Sequence, residues 1–255
     1  MKLKDFLDLM EKIAPASKAL PYDNVGLIVG TEREDISKVL VALDLTIQVA
    51  NEAVSWGADM VLTHHPNLFD GVKRILPDHP ETAAVYRLIK HGIGHFAAHT
   101  NLDAADGGVN DSLCDILGIL HPIAIGEEGI ARIGTLARPM RFNDFAALVK
   151  RRLGGNPRTV GGTGSPISRV AVLGGSGGGE IELAKKHGAE AYVTGEIKHS
   201  QAIAAKVLRL PVIEAGHYET EKVVLKPLIS RLQAYKNGVQ YRLADSDSSP
   251  FNPVN

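Results

Sequence analysis

Val61-Leu62-Thr63-His64-His65-Pro66 is an apolar run that breaks off into two adjacent histidines and a proline. Aliphatic residues directly before metal-type ligands read as a buried strand that ends at a site. Outward from this stretch the chain alternates. Residues 39–45 form another apolar run with one acid, Asp44, near its end, as expected of a strand buried on both faces. Thr46 then caps a helix to about Trp56, and Gly57 stops it. Residues 81–91 read as a helix and residues 93–98 as a strand that ends at His99, while residues 3–14 form an amphipathic helix with Leu3, Phe6, Leu7, Met10 and Ile13 on one stripe. Further on, strands are expected at 131–137, 170–173, 191–194, 211–215 and 239–243, and helices at 111–118, 142–153, 180–187, 200–208 and 219–236. Residues 100–110 read as a polar loop, 121–130 as a connector and 154–164 as a glycine-rich loop. Strands separated by helices on this scale predict an α/β layer fold with largely parallel sheets.

Composition narrows the function classes. In 255 residues, 28 Lys and Arg against 29 Asp and Glu give a net charge of -1, so nothing draws the chain generally to nucleic acid or anionic lipid. No run approaches a membrane span, and the N-terminal helix carries acids rather than a signal-peptide core, so a cytoplasmic protein is expected. The single cysteine, Cys114, sits in an apolar helical pattern and reads as a buried structural thiol.

The chain also echoes itself. Residues 56–65, Trp-Gly-Ala-Asp-Met-Val-Leu-Thr-His-His, align with residues 187–196, His-Gly-Ala-Glu-Ala-Tyr-Val-Thr-Gly-Glu. Helix stop, acid, apolar strand and terminal threonine coincide, and Gly195-Glu196 stands where the first copy has His64-His65. The next strands end alike, in Ala97-Ala98-His99 and Ala215-Gly216-His217, each histidine followed four residues later by a carboxylate, Asp103 or Glu221. Two related α/β units, residues 1–125 and 126–255, are therefore expected, with the C-terminal part packing back on the first. βα units in general share a helix stop and a strand. What that leaves unexplained is the recurring His-x3-acid ending.

Several of these residues carry chemistry. His64 and His65 would point to opposite faces of an extended strand, so they serve one site only if the strand has ended, which Pro66 favours. His217 and Glu221, four apart at a helix start, share one face and can close on a divalent ion. Each motif has a plain alternative: a surface or satisfied core histidine pair, a solvated i,i+4 pair, and for Asp103 an Asx turn. Together, three histidines and two carboxylates fall at the same ends of parallel strands, where open α/β sheets place ligands. Five side chains hold two ions only with a bridging carboxylate. His99 and Glu196 are left over for orienting or acid–base work, with His199 a further candidate beside plain capping or surface roles. The turn Gly174-Gly175-Ser176-Gly177-Gly178-Gly179 matches neither a P-loop nor a dinucleotide fingerprint and is expected to be a tight strand–helix turn, with phosphate contact the alternative.

Taken together, the stretches Tyr22-Asp23-Asn24-Val25-Gly26-Leu27, Leu43-Asp44, Thr63-His64-His65-Pro66, His99-Thr100-Asn101-Leu102-Asp103, Gly108-Val109-Asn110, Thr194-Gly195-Glu196 and Gly216-His217-Tyr218-Glu219-Thr220-Glu221 resemble the Nif-three-like (YbgI-type) proteins, often labelled GTP cyclohydrolase 1 type 2 homologues. The resemblance covers nearly the whole chain. Tyr22 and Asn67 depart from the usual pattern without touching a metal position. The resemblance implies two similar, intertwined three-layer α/β/α units and a dinuclear centre held by His64, His65, Asp103, His217 and Glu221, with Zn, Fe or Mn as the ions. It further implies a ring-shaped homohexamer and metal-dependent hydrolysis of a small, nucleotide-like or phosphorylated substrate. A non-catalytic metal-handling, insertion or adaptor protein with the same ligands is the competing expectation.

Overall fold

A computed structural model describes residues 1–162 and 165–251. By contact the chain divides into two units: Met1–Ala105 joined by Leu225–Ser248, and Asp106–Val224 joined by the residues from Ser249. The boundary expected at 125 and 126 falls inside the second of these. The mixed α/β architecture expected from the alternation is present, with one sheet in each unit. Among the described residues no helix is long and apolar enough to cross a membrane.

The first unit opens with α1 (Leu3–Ile13), whose Phe6, Leu9, Met10 and Ile13 are buried. Its sheet contains β1 (Gly26–Val29), β2 (Lys38–Ala42), β3 (Met60–Thr63) and β4 (Gly94–Ala97), ordered β1-β4-β3-β2. The strand at Gln240–Leu243, the last among the described residues, lies parallel to β2 and completes this sheet to five strands. Only β1 runs antiparallel. β3 and β4 are buried along their whole length; β3 is an apolar run closed by Thr63, as a strand covered on both faces requires, while β4 also encloses His95. α2 (Ile47–Trp56) begins where the Thr46 hydroxyl accepts from the Val49 N–H and ends at left-handed Gly57, φ 71°. α3 (Ala83–Lys90) precedes β4, and α4 (Thr100–Ala104) follows it. The short helix replaces the polar loop expected at 100–110: the Asn101 side chain accepts from the His99 N–H, and the Asp103 N–H donates to the His99 carbonyl.

In the second unit, α5 (Val109–Leu117) leads into β5 (Ile119–Ile125), an edge strand where a connector was expected. Leu120 and Ile123 on it are exposed, so its pattern carries no apolar alternation, and its existence rests on pairing with β6 (Ala131–Arg141). The short connection between them forces an antiparallel pair. α6 (Phe142–Leu153) follows, then β7 (Arg158–Val160), β8 (Pro166–Leu173), α7 (Ile181–Lys186), β9 (Ala191–Thr194), α8 (His199–Val207), β10 (Val212–Glu214) and α9 (His217–Glu221). Within the expected loop 154–164, β7 pairs antiparallel with β10, and Thr163 and Gly164 lie outside the described residues. The sheet order is β5-β6-β8-β9-β10-β7, and only β8, β9 and β10 run parallel. The sheet is thus less parallel than the alternation predicted.

The helix expected over 219–236 is broken into α9, a 3-10 turn at Lys222–Val224 and α10 (Leu225–Ala234), which belongs to the first unit; the final strand is β11 (Gln240–Leu243). Pro227 has no N–H to bond back one turn, so continuous α-helix fails just before it. Cys114 is fully buried beside Leu113, Leu117 and Phe142, and burial pushes its thiol up to about 12, as a structural thiol should be.

The two echoed stretches have the same local hydrogen bonds. Asp59 accepts from the N–H groups of Ser37 and Lys38 at the start of β2, and Glu190 accepts from those of Ser168 and Arg169 in β8. The Asp59 N–H donates to Lys38 and the Glu190 N–H to Arg169; beyond the strands, Ala98 N–H donates to Thr63 and Ala215 N–H to Thr194. The acids in the echo are therefore strand clamps.

Candidate functional site

In the first unit, β3 ends at Thr63 and the two histidines leave it. Parallel pairing continues for two more residues, His64 N–H to Ala42 and His65 N–H to Leu43, but the rings no longer diverge: their centroids are 4.9 Å apart. The His99 ring lies 5.2 Å from that of His64 and 5.4 Å from that of His65. One ring nitrogen of each of the three lies within 4.8 Å of the others.

The orientation of these rings is set by acceptors from three separate segments. His64 Nδ1 meets the Ala98 carbonyl at 2.8 Å, His65 Nδ1 meets Asp44 Oδ1 at 2.8 Å, and His99 Nδ1 meets Asp23 Oδ1 at 2.8 Å. An acceptor at Nδ1 fixes the proton there, so in each ring Nε2 keeps its lone pair, the form in which an imidazole nitrogen can bind a cation. Asp103, one helical turn after His99 on α4, is buried, with Oδ1 at 3.6 Å from His64 Nε2. That is too long for a hydrogen bond. It is close to the roughly 3.3 Å that separates two donors bound about 2.0–2.1 Å from one tetrahedral ion.

Asp23 and Asp44 are the residues whose role the sequence did not disclose. Burial alone would raise the Asp23 carboxyl, but bonds from His99 and from the N–H and hydroxyl of Thr100 outweigh it and hold the group at about 2. Asp23 is thus an anion throughout the neutral range, and it ties His99 to α4. Apart from its place in the family-like stretch Leu43-Asp44, the signal for Asp44 was a lone acid closing an apolar strand. A further brace lies behind His65: the Thr63 hydroxyl donates to the His65 carbonyl and accepts from His95 Nε2, 2.7 Å in each case. His95 is fully enclosed in β4, and burial pushes it down to about 3, so it is a neutral donor at working pH.

In the second unit, His217 and Glu221 open and close α9, and His217 Nε2 lies 3.0 Å from Glu221 Oε2. Glu221 is buried. His217 Nδ1 faces Glu196 Oε1 at 3.4 Å, and the other Glu196 oxygen accepts from the Ser176 hydroxyl at 3.0 Å. Glu196 therefore stands to His217 as Asp44 does to His65. Buried Thr220 locks the helix start: its hydroxyl lies 2.9 Å from both the Gly216 and His217 carbonyls and accepts from the Gly175 N–H. Asn110 accepts from the Gly174 N–H and donates to the Ile130 carbonyl.

The glycines explain why this copy has no histidine pair. A Cβ at Gly195, the position matching His64, would lie 2.6 Å from the Gly175 carbonyl and 2.9 Å from the His217 Cα, and a Cβ at Gly175 would collide with the Glu221 carboxylate. In the glycine-rich turn the N–H groups of Gly174, Gly175 and Gly177 are taken by Asn110, Thr220 and Thr194, so it is a tight turn built on protein contacts rather than an open phosphate cradle. Glu196 and His217 line a cleft of about 810 Å³ at the carboxyl ends of the parallel strands, with Lys198 and Gln201 on its wall. His199, the first residue of α8, is exposed and does not line this cleft.

The donor chemistry of the first unit's group fits a divalent transition metal, and the second unit offers the imidazole–carboxylate pair of His217 and Glu221, with His64, His65 and His217 each facing a partner on the far side of the ring. Comparison with known proteins places the chain in a family. A family model described as Duf34/NIF3 (NGG1p interacting factor 3) matches residues 1–250. A Clostridium perfringens protein named GTP cyclohydrolase 1 type 2 homolog is 34% identical, covering 98% of this chain and 99% of its own. Among solved structures, a Staphylococcus aureus hypothetical protein superposes with a TM-score of 0.92 at 28% identity, covering 100% of this chain and 99% of its own. Reduced HcgD from Methanocaldococcus jannaschii superposes with a TM-score of 0.84 at 29% identity, covering 96% and 98%.

Proposed function

The chain belongs to the Duf34/NIF3 family, and on that premise we propose that it is a metal-dependent hydrolase acting on a small, nucleotide-like or phosphorylated substrate. In this reading His64, His65, Asp103, His217 and Glu221 hold two divalent ions per chain, Zn, Fe or Mn. The observation that carries it is the gathering of three imidazoles in the first unit, each with Nδ1 on a protein acceptor and with one ring nitrogen of each within 4.8 Å of the others. Bound divalent ions supply Lewis-acid polarisation and acidify water toward neutrality.

The remaining work falls to the chain's own groups. Asp44 and Glu196 hold His65 and His217 in the ligating tautomer. Glu196, half exposed in its cleft, can also accept a proton at Oε1 or Oε2, and Ser176 keeps it aimed there. His99 is kept Nδ1-protonated by Asp23, so its Nε2 can take a proton and return it.

Metal analysis of the reconstituted chain is the first test: two ions per chain are expected, and fewer than two after loading at neutral pH refutes the dinuclear reading. A screen of the loaded protein against GTP, other nucleotides and phosphodiesters, with Glu221→Gln as control, is the second. Full metal content with no turnover on any of them would favour the metal-handling reading over the hydrolase. Assembly as a homohexamer is part of the same proposal and is checked by light scattering of the eluting protein.

A further inference from the structure

The segment that follows Pro66 is absorbed by neither group of ligands. Its start is fastened by two side-chain bonds, Asn67 Nδ2 to the Leu45 carbonyl at 3.1 Å and Asn24 Nδ2 to the Leu68 carbonyl at 2.5 Å. Its far end is fastened by the Leu76 N–H donating to the Thr82 hydroxyl at 3.1 Å. Between these anchors the segment walls a cleft of about 650 Å³. A loop held this firmly at both ends usually buries its apolar side chains, yet Phe69, Val72, Ile75 and Leu76 remain 39–41% exposed.

Two features, one at Phe69 on the cleft wall and one among the cleft's charged residues, point to a ligand. Phe69 stands edge to face against His99, ring centroids 6.1 Å apart, and Tyr22 stands edge to face against Phe69 at 6.4 Å. This leaves aromatic surface open directly beside one of the three imidazoles. Lys73 and Arg74 line the same cleft, and among the described residues neither makes an ion pair, although Asp70 and Glu81 share the lining. Acids that lie nearby without neutralising the cations leave them available, and can themselves accept from hydroxyl or amino hydrogens of a ligand.

We propose that this cleft binds a phosphate monoester carrying a planar ring: the ring packs on Phe69, which itself touches His99 and Tyr22, and the phosphate is held by Lys73 and Arg74. Cation pairs of this kind suit a dianion, and ring-on-ring packing tolerates any flat π-system. The inference deepens the proposed function by naming what the histidine group would act on, and it rests on that reading only for calling the ligand a substrate.

Binding is therefore measured with the metals removed. Phenyl phosphate is titrated calorimetrically into the full chain dialysed against chelator, with inorganic phosphate as the comparison. Wild type is expected to bind phenyl phosphate more tightly than inorganic phosphate, and to lose affinity as salt rises. A Lys73→Ala, Arg74→Ala double variant should lose about tenfold or more for both ligands. Phe69→Leu, which keeps apolar volume and removes the ring, should lose about fivefold for phenyl phosphate and nothing for inorganic phosphate. Equal affinity for the two ligands in wild type, no binding at millimolar concentration, or no loss in the double variant would each overturn the proposal. Metal content of separately loaded samples reports on the dinuclear reading, so the two can fail independently.

Discussion

Asp44→Asn tests whether the orientation of the histidines is what would let the first unit hold the proposed metal. Asp44 is almost isosteric with Asn, and its Oδ1 lies 2.8 Å from His65 Nδ1. The variant can keep this bond with its amide oxygen, but as a neutral acceptor worth roughly half a charge-assisted one. Alternatively it presents its NH2, which forces the proton to Nε2 and removes the lone pair that binds metal. The first outcome costs about 1 kcal/mol and the second more. Because the Asp44 side chain is 43% exposed and screened by water, the lower figure is the better guide. Metal affinity is therefore expected to fall about five- to tenfold, the low end for loss of a group that orients a ligand. The assay is competition for Zn²⁺ against a chromophoric chelator near neutral pH, paired with urea unfolding of the metal-free chain. Unfolding should move by less than about 0.5 kcal/mol, since the site is at the surface end of the sheet. An affinity within threefold of wild type while His65→Ala abolishes binding would refute the reasoning, as would a metal-free destabilisation equal to the affinity lost.

Three other outcomes follow from the same geometry. Asp23 has its carboxyl depressed to about 2, so the stability it lends is full above about pH 5 and is lost as pH falls through 2; urea unfolding of Asp23→Asn should differ from wild type by about 2 kcal/mol at neutral pH and converge with it in acid. Gly175→Ala places a Cβ against the Glu221 carboxylate at φ 62°, so it should destabilise the chain by about 2 kcal/mol or more and impair metal loading, measured by unfolding and elemental analysis. Cys114, raised to about 12 by burial, should resist a thiol reagent in the folded chain and react fully in denaturant, and rapid labelling of the native protein would contradict its placement in the core.

Much of this protein was decided locally. The helix expected at residues 142–153 is α6 to the residue, and Thr46 and Gly57 bracket α2 as cap and stop, because these choices depend on neighbours within a turn. The buried strands were legible because a fully covered strand must be apolar throughout. The His-x3-acid pairs were legible for the same local reason, since four residues make one helical turn whatever the rest of the chain does. Where an element depended on a distant partner the sequence misled. β5 is a strand only because β6 lies beside it, and residues 219–236 break because a proline and a change of unit intervene. The ligand orientation lies furthest from local reading. Asp44 reaches His65 across 21 residues and Asp23 reaches His99 across 76, and neither pairing leaves a trace of periodicity. The residue types able to bind a metal were thus determined by the sequence itself. Which ring nitrogen each histidine offers was decided by tertiary structure, because loops from separate strands had to meet at the ends of the sheet before an acceptor could stand behind each imidazole.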